Sequence, residues 1–126
     1  MEDFTRRSDT VRFMNNDFKL KRNISISIDT TSNEFIKVGL QIDGKMDMRE
    51  ESHEKKKAQI VLPLIDELLK KHNITIHDIT AIEVNPGPGS FTGIRVGIAI
   101  ANTLGSVLKI PINDKKVGEV IEGVYD

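Results

Sequence analysis

The side chains in this sequence that could carry chemistry are few, and most are carboxylates. Asp29 stands where an alternating apolar run ends and is followed by Thr30, Thr31, Ser32 and Asn33. A two-metal phosphodiester hydrolase needs several carboxylates from the first strand, first helix and fourth strand. Glu51 or Glu54 could join Asp29, but the fourth apolar run ends in Val84-Asn85-Pro86, with no acid where one is required. Glu83 is expected to point away from a productive neighbour, because strand side chains alternate. The plainer role for Asp29 is to close a turn against its own backbone, and Thr30, Thr31 and Ser32 are read the same way. His53 is followed four residues later by Lys57, which cannot ligate a metal while charged, and one imidazole does not make a site. His72 and His77 fall near loops, so no metal is expected. No serine, histidine and acid are spaced for nucleophilic catalysis, and there is no cysteine. Thiolate chemistry and disulfides are thereby excluded.

The other candidate is Asn85-Pro86-Gly87-Pro88-Gly89-Ser90-Phe91-Thr92-Gly93. Its prolines stop both strand and helix, and its glycines allow a sharp reversal. Ser90 or Thr92 can cap the helix that follows. A glycine-rich turn at a helix start can bind anions, but the lysine and paired spacing of a P-loop are missing. Lys55-Lys56-Lys57 could touch nucleic acid; with Glu50, Glu51 and Glu54 beside it, the run reads as a solvated helix face.

Residues 24–28 alternate strictly, as a strand does. A second strand is predicted over residues 34–42, a hairpin turn at Asp43-Gly44, and a third strand over residues 45–50. Residues 52–71 have helical spacing, with Ser52 as N-cap and Pro63 expected to kink the middle. A fourth strand is predicted over residues 79–84, a long helix after the turn, and a short fifth strand over residues 109–112. Val117, Val120, Ile121 and Val124 keep helical spacing and suggest a frayed third helix weakened by Gly118 and Gly123. The order βββαβαβ predicts an α/β half-domain of RNase H-like type with a mixed five-stranded sheet.

Both main helices carry more apolar surface than one sheet face needs. In the second, Gly93, Gly97, Ala101 and Gly105 fall four apart and line one face as a smooth track. Helical glycine costs roughly 1 kcal/mol against alanine, so the repeat requires close approach of another backbone, from inside the fold or from a partner. Ile60 and Leu64 of the first helix spill outside its main stripe.

Composition narrows the field further. The chain of 126 residues has material for one domain with a real core. Its net charge of −1 makes no overall electrostatic case for nucleic acid. Aromatics at 5% argue against a base-stacking surface. Residues 1–23 show no sustained period and are expected to form a flexible leader, residues 24–113 the domain and residues 114–126 a tail. The N-terminus is polar, unlike a secretory signal, and the apolar helix is interrupted by Arg95 and Asn102. No membrane role is expected, and the location expected is cytoplasmic.

Gly87-Pro88-Gly89-Ser90-Phe91-Thr92-Gly93-Ile94-Arg95, with Gly97, closely resembles the signature of the bacterial TsaB (YeaZ) family. Asp29-Thr30-Thr31-Ser32 and the stretch from His53 to Leu62-Pro63-Leu64-Ile65 are similar to it as well. The resemblance runs from about residue 24 to residue 112, the N-terminal half of that family. It implies an ASKHA-type fold, the superfamily of actin, sugar kinases and chaperone ATPases. It also implies a non-catalytic partner of TsaD, which joins threonylcarbamoyl to adenosine in transfer RNA (t6A) with help from the ATPase TsaE. Contact with transfer RNA would be indirect. TsaB pairs with TsaD, or with itself as a homodimer, through the two helices of this half. The docking surface implied here is Ile60, Leu64, Gly93, Gly97, Ala101 and Gly105. Asp29, Thr30, Thr31 and Ser32 occupy the position where active superfamily members hold ATP and Mg²⁺. With the family's second lobe expected to be missing, that loop would be vestigial and no cofactor is expected. Two other classes stay open: an ATPase or kinase-like enzyme of the superfamily, and a self-dimerising half-domain without the modification role.

Overall fold

The computed structural model describes residues 22–52 and 57–125. Most of the expected leader, and His53, Glu54, Lys55 and Lys56, lie outside those residues. Strands β1 (Ile24–Asp29), β2 (Phe35–Ile42) and β3 (Lys45–Ser52) form an antiparallel meander. Helix α1 (Lys57–Lys71) crosses to β4 (Ala81–Val84), which pairs parallel with β1, and helix α2 (Phe91–Leu108) follows. The sheet order is β3-β2-β1-β4.

Alternation decides which face is covered. Ile24, Ile26 and Ile28 of β1, Ile36, Val38 and Leu40 of β2, and Ile82 and Val84 of β4 are all buried. They meet Val61, Leu64, Ile65, Leu68 and Leu69 of α1, and Ile94, Ile98 and Ala101 of α2. The hairpin between β2 and β3 has positive φ at both Asp43 and Gly44, the conformation that matches strand twist in a two-residue turn. At the other end of β3, Ser52 is the last strand residue and not the helix cap expected of it. Pro63 sits on the exposed side of α1, which continues through it unbroken and without the break expected there.

The fifth strand is reduced to a single parallel bridge, Ile82 with Ile112. Lys109 adopts a left-handed conformation as the cap of α2, and Asn113 and Asp114 are left-handed too. Only three residues between them can extend, and Pro111 has no N–H to donate. The edge of β4 is completed by a side chain instead. Val84 N–H donates to Asn113 Oδ1 at 2.8 Å, and Asn113 Nδ2 donates back to Val84 O at 3.0 Å.

The third helix does not form. Gly118 has φ +94, and beyond it residues alternate as an extended chain does. Ile121 is buried while Val120, Glu122 and Val124 are exposed. By length and composition α2 could cross a membrane, with a third of it buried in the fold; its buried residues Ile94, Ile98 and Ala101 belong to the core.

Candidate functional site

The loops that leave the carboxyl ends of β1 and β4 carry the two motifs, and hydrogen bonds join them into one network. Asp29 Oδ1 accepts from Thr31 N–H at 3.0 Å and from the Thr31 hydroxyl at 2.7 Å. Its Oδ2 accepts from Asn85 Nδ2 at 3.1 Å. Asn85 donates its own N–H to Ile28 O at 2.9 Å and accepts Gly87 N–H on its side chain at 3.0 Å. Ser90 N–H donates to Thr31 O at 2.7 Å, and the buried Thr30 hydroxyl donates to Gly93 O at 2.6 Å. Ser90 Oγ accepts Gly93 N–H at 3.1 Å as the helix cap, and Ser32 Oγ accepts from Glu34 and Phe35. Pro88 and Thr92 are exposed. Burial would raise the Asp29 carboxyl, but the Thr31 and Asn85 donors and the nearby Lys37 charge outweigh it. The group sits below its ordinary value.

A shallow cleft of ≈ 470 Å³ opens beside this network, lined in part by Ser27, Asp29, Lys37, Glu83, Asn85 and Asp114. The parallel register sets Ser27 opposite Glu83, so Glu83 shares the Asp29 face and does not point away as its position in the run suggested. Even so, among the described residues no three His, Cys, Asp or Glu side chains gather to hold a metal ion. The Asp29 oxygens already accept three internal donors, a poor fit to the Mg²⁺-nucleotide role that the superfamily implies.

The small-residue track lies inside the fold. Gly93, Gly97, Ala101 and Gly105 are all buried. A Cβ on Gly97 would collide with Thr30 Oγ1, and one on Gly105 would lie 2.5 Å from Ile112 Cδ1. The close neighbour that the glycines require is therefore the chain's own β1 loop and the residue bridging β4. Leu64 is buried in the core and Ile60 is half-buried. None of the six forms the open docking surface expected from sequence. Periodicity reveals that a face needs small residues but not which side of the helix meets the sheet.

Contacts of α1 orient its two flanks. Glu67 accepts from Arg49 at 2.9 Å, and Lys71 and His72 reach Asp47 at 2.9 and 2.8 Å. The flank carrying Ile60, Glu67 and Lys71 thus faces β3, and the opposite flank with Leu62 and Leu69 faces α2. On α2, Asn102 and Phe91 meet the extended segment, which leaves the half-buried Val96, Ile100 and Leu104 toward α1. Leu62 is 51% exposed and Val107 72%. Sequence alone signalled only that such surplus apolar residues exist.

Comparison with known proteins agrees with this geometry. Residues 50–114 match the family model described as TsaD, tRNA N6-adenosine threonylcarbamoyltransferase. The chain is 34% identical over 87 residues to the tRNA threonylcarbamoyladenosine biosynthesis protein TsaB of Escherichia coli, covering 69% of this chain and 37% of that one. It is 32% identical over 91 residues to TsaB of Haemophilus influenzae, covering 72% and 39%. Among solved structures, YeaZ from Pseudomonas aeruginosa superposes with a TM-score of 0.69 at 28% identity, over 75% of this chain and 44% of that one. The chain thus spans less than half the length of these relatives. With both motifs joined in one network and these likenesses beside it, the chain belongs to the TsaB (YeaZ) family of tRNA threonylcarbamoyladenosine biosynthesis proteins.

Proposed function

We propose that the chain is a non-catalytic scaffold unit of t6A biosynthesis that docks a TsaD-like catalytic partner along the outer seam of α1 and α2. One observation carries this reading: Leu62 and Val107 stand more than half exposed on helices whose inward faces are already filled. Ala99 and Thr103, also exposed, continue the α2 side of the seam with small, uncharged surface. A partner helix laid there buries apolar area without desolvating charge. The hydroxyl and carboxylate groups of the motif network are occupied in holding β1, β4 and α2 together, which suits positioning and not catalysis. A TsaE-like ATPase would act through the wider complex, and without a partner the same seam would pair two copies of the chain.

The test is co-purification with a TsaD-like protein. Leu62→Asp with Val107→Asp is expected to abolish capture while circular dichroism stays unchanged, since neither side chain fills the core. Lys45→Glu, on the hairpin, is expected to leave capture intact. Undiminished capture by the double variant would sink the reading. The enzyme alternative predicts tight ATP–Mg²⁺ binding by the isolated chain in calorimetry; the scaffold predicts none.

A further inference from the structure

The sheet has a second face, turned away from the two helices. Ile36, Val38 and Leu40 of β2 are buried in the core, so Lys37, Gly39 and Gln41 point the other way. Gly39 pairs with Ser27 of β1 on one side and with Met48 of β3 on the other. Met46 stands two residues before Met48 and shares its face. Asp47, between them, turns to Lys71 and His72 at the end of α1. Two long thioether side chains thus flank a position that has no side chain, and both lean into it. A Cβ on Gly39 would collide with Met48 Sδ and would lie 2.8 Å from Met46 Sδ and 2.7 Å from Ser27 Oγ. The two sulfurs are therefore neighbours, gathered over one residue. Met46 and Met48 are nonetheless 49% and 48% exposed, so the pair is open to an ion from solution.

Methionine is a residue of the interior. Two of them held half in water, with their sulfurs converging, have the attributes of ligands. A thioether is a soft, uncharged donor that favours copper(I) over magnesium or calcium. Donors on alternate residues of one strand are placed by the strand itself, which gives a more exact site than a loop does. The surrounding charge suits a cation: Glu83 lies on the same row, opposite Ser27, and Lys37 is drawn toward Glu50 at 3.9 Å. The chain contains no cysteine, so no thiolate of its own competes for a soft ion.

We propose that Met46 and Met48, gathered over Gly39 on the sheet face opposite the helices, form a thioether site for a soft monovalent metal ion of the copper(I) class. The vacancy at Gly39 lets the sulfurs approach each other, and the strand backbone keeps them there. The site is remote from the α1–α2 seam, so metal binding and partner docking are tested separately.

The probe is silver(I), a stand-in for copper(I) without its redox chemistry, titrated into the full chain labelled at the methionine ε-methyl groups. The Met46 and Met48 resonances are expected to move together to a common saturation point, while those of Met1 and Met14 stay in place. Separate saturation points, equal movement of all four methionines, or no movement overturns the site. Met46→Leu or Met48→Leu, which nearly conserves side-chain volume, is expected to abolish saturable silver binding in calorimetry. Undiminished binding by either variant overturns the proposal. The methyl titration uses the wild-type chain and decides the matter even if a variant fails to fold. Copper(I), kept reduced with ascorbate under argon, is expected to reproduce the silver shifts, and magnesium and zinc to produce none. The same shifts with zinc would overturn a soft-metal site.

Discussion

Thr30 is a buried polar side chain whose hydroxyl reaches Gly93 O inside the first turn of α2. That single contact explains why a helix tolerates glycine at position 97: Thr30 Oγ1 occupies the space a Cβ would take. Gly97→Ala gains roughly 1 kcal/mol of helix propensity and loses roughly 1–3 kcal/mol to overpacking. The net expectation is destabilisation of about 1 kcal/mol. Chemical denaturation of Gly97→Ala alone and with Thr30→Ala is expected to show recovery in the pair, because the second change empties the contested space. Asp29 makes a different prediction. Its carboxyl is held below the ordinary 3.8, so its contribution is complete above the unfolded value and disappears as pH falls through the lowered folded one. Asp29→Asn is therefore expected to lower the melting temperature at neutral pH, with the gap to wild type closing below pH 3.8. A gap that is constant with pH would exclude the hydrogen-bonded carboxylate as its source. Both motifs were legible as residues. Their union was not, because Asp29 and Asn85 are 56 positions apart and no local pattern announces a contact at that range.

Among the elements, the meander was the most readable part, since isoleucine alternation and an Asp-Gly turn are local signals that act together. The fifth strand misled because three extended residues next to β4 do not make a ladder, and an asparagine amide finishes the edge in its place. The segment after it misled because Val117, Val120, Ile121 and Val124 satisfy helical spacing while Gly118 at φ +94 and the Asn102 contact draw the chain out straight. Edge strand β3 carries its own prediction. Asp47 projects from it to Lys71 and His72 at the end of α1, and those hydrogen bonds lower its carboxyl below the ordinary value. The clamp is expected to operate above pH 3.8 and to fail as acid protonates Asp47 below it. At neutral pH, Asp47→Asn is expected to speed amide exchange in β3 while leaving β1 and β4 unchanged. Uniform acceleration across the sheet would mean that the clamp holds the whole fold and not its edge.

At the scale of the molecule, the scaffold proposal predicts a protein, and not a nucleic acid, as the direct partner. The formal net charge is −1, and the proposed seam of Leu62, Ala99, Thr103 and Val107 contains no ionisable group. Affinity that comes from apolar burial responds weakly to added salt, whereas binding through phosphate contacts falls steeply as counterions are restored. Capture of a TsaD-like partner is therefore expected to change less than about threefold between about 0.05 and 0.5 M NaCl. Transfer RNA is expected to bind the isolated chain hardly at all at about 0.15 M salt and to be retained once the partner is present. Filter binding of labelled transfer RNA, with and without partner, measures both. Steep salt dependence of partner capture would shift the interface away from the helix seam toward the charged flank where β3 meets α1, with Arg49 on Glu67 and Lys71 on Asp47. Retention of transfer RNA by the chain alone would replace the scaffold reading with direct recognition.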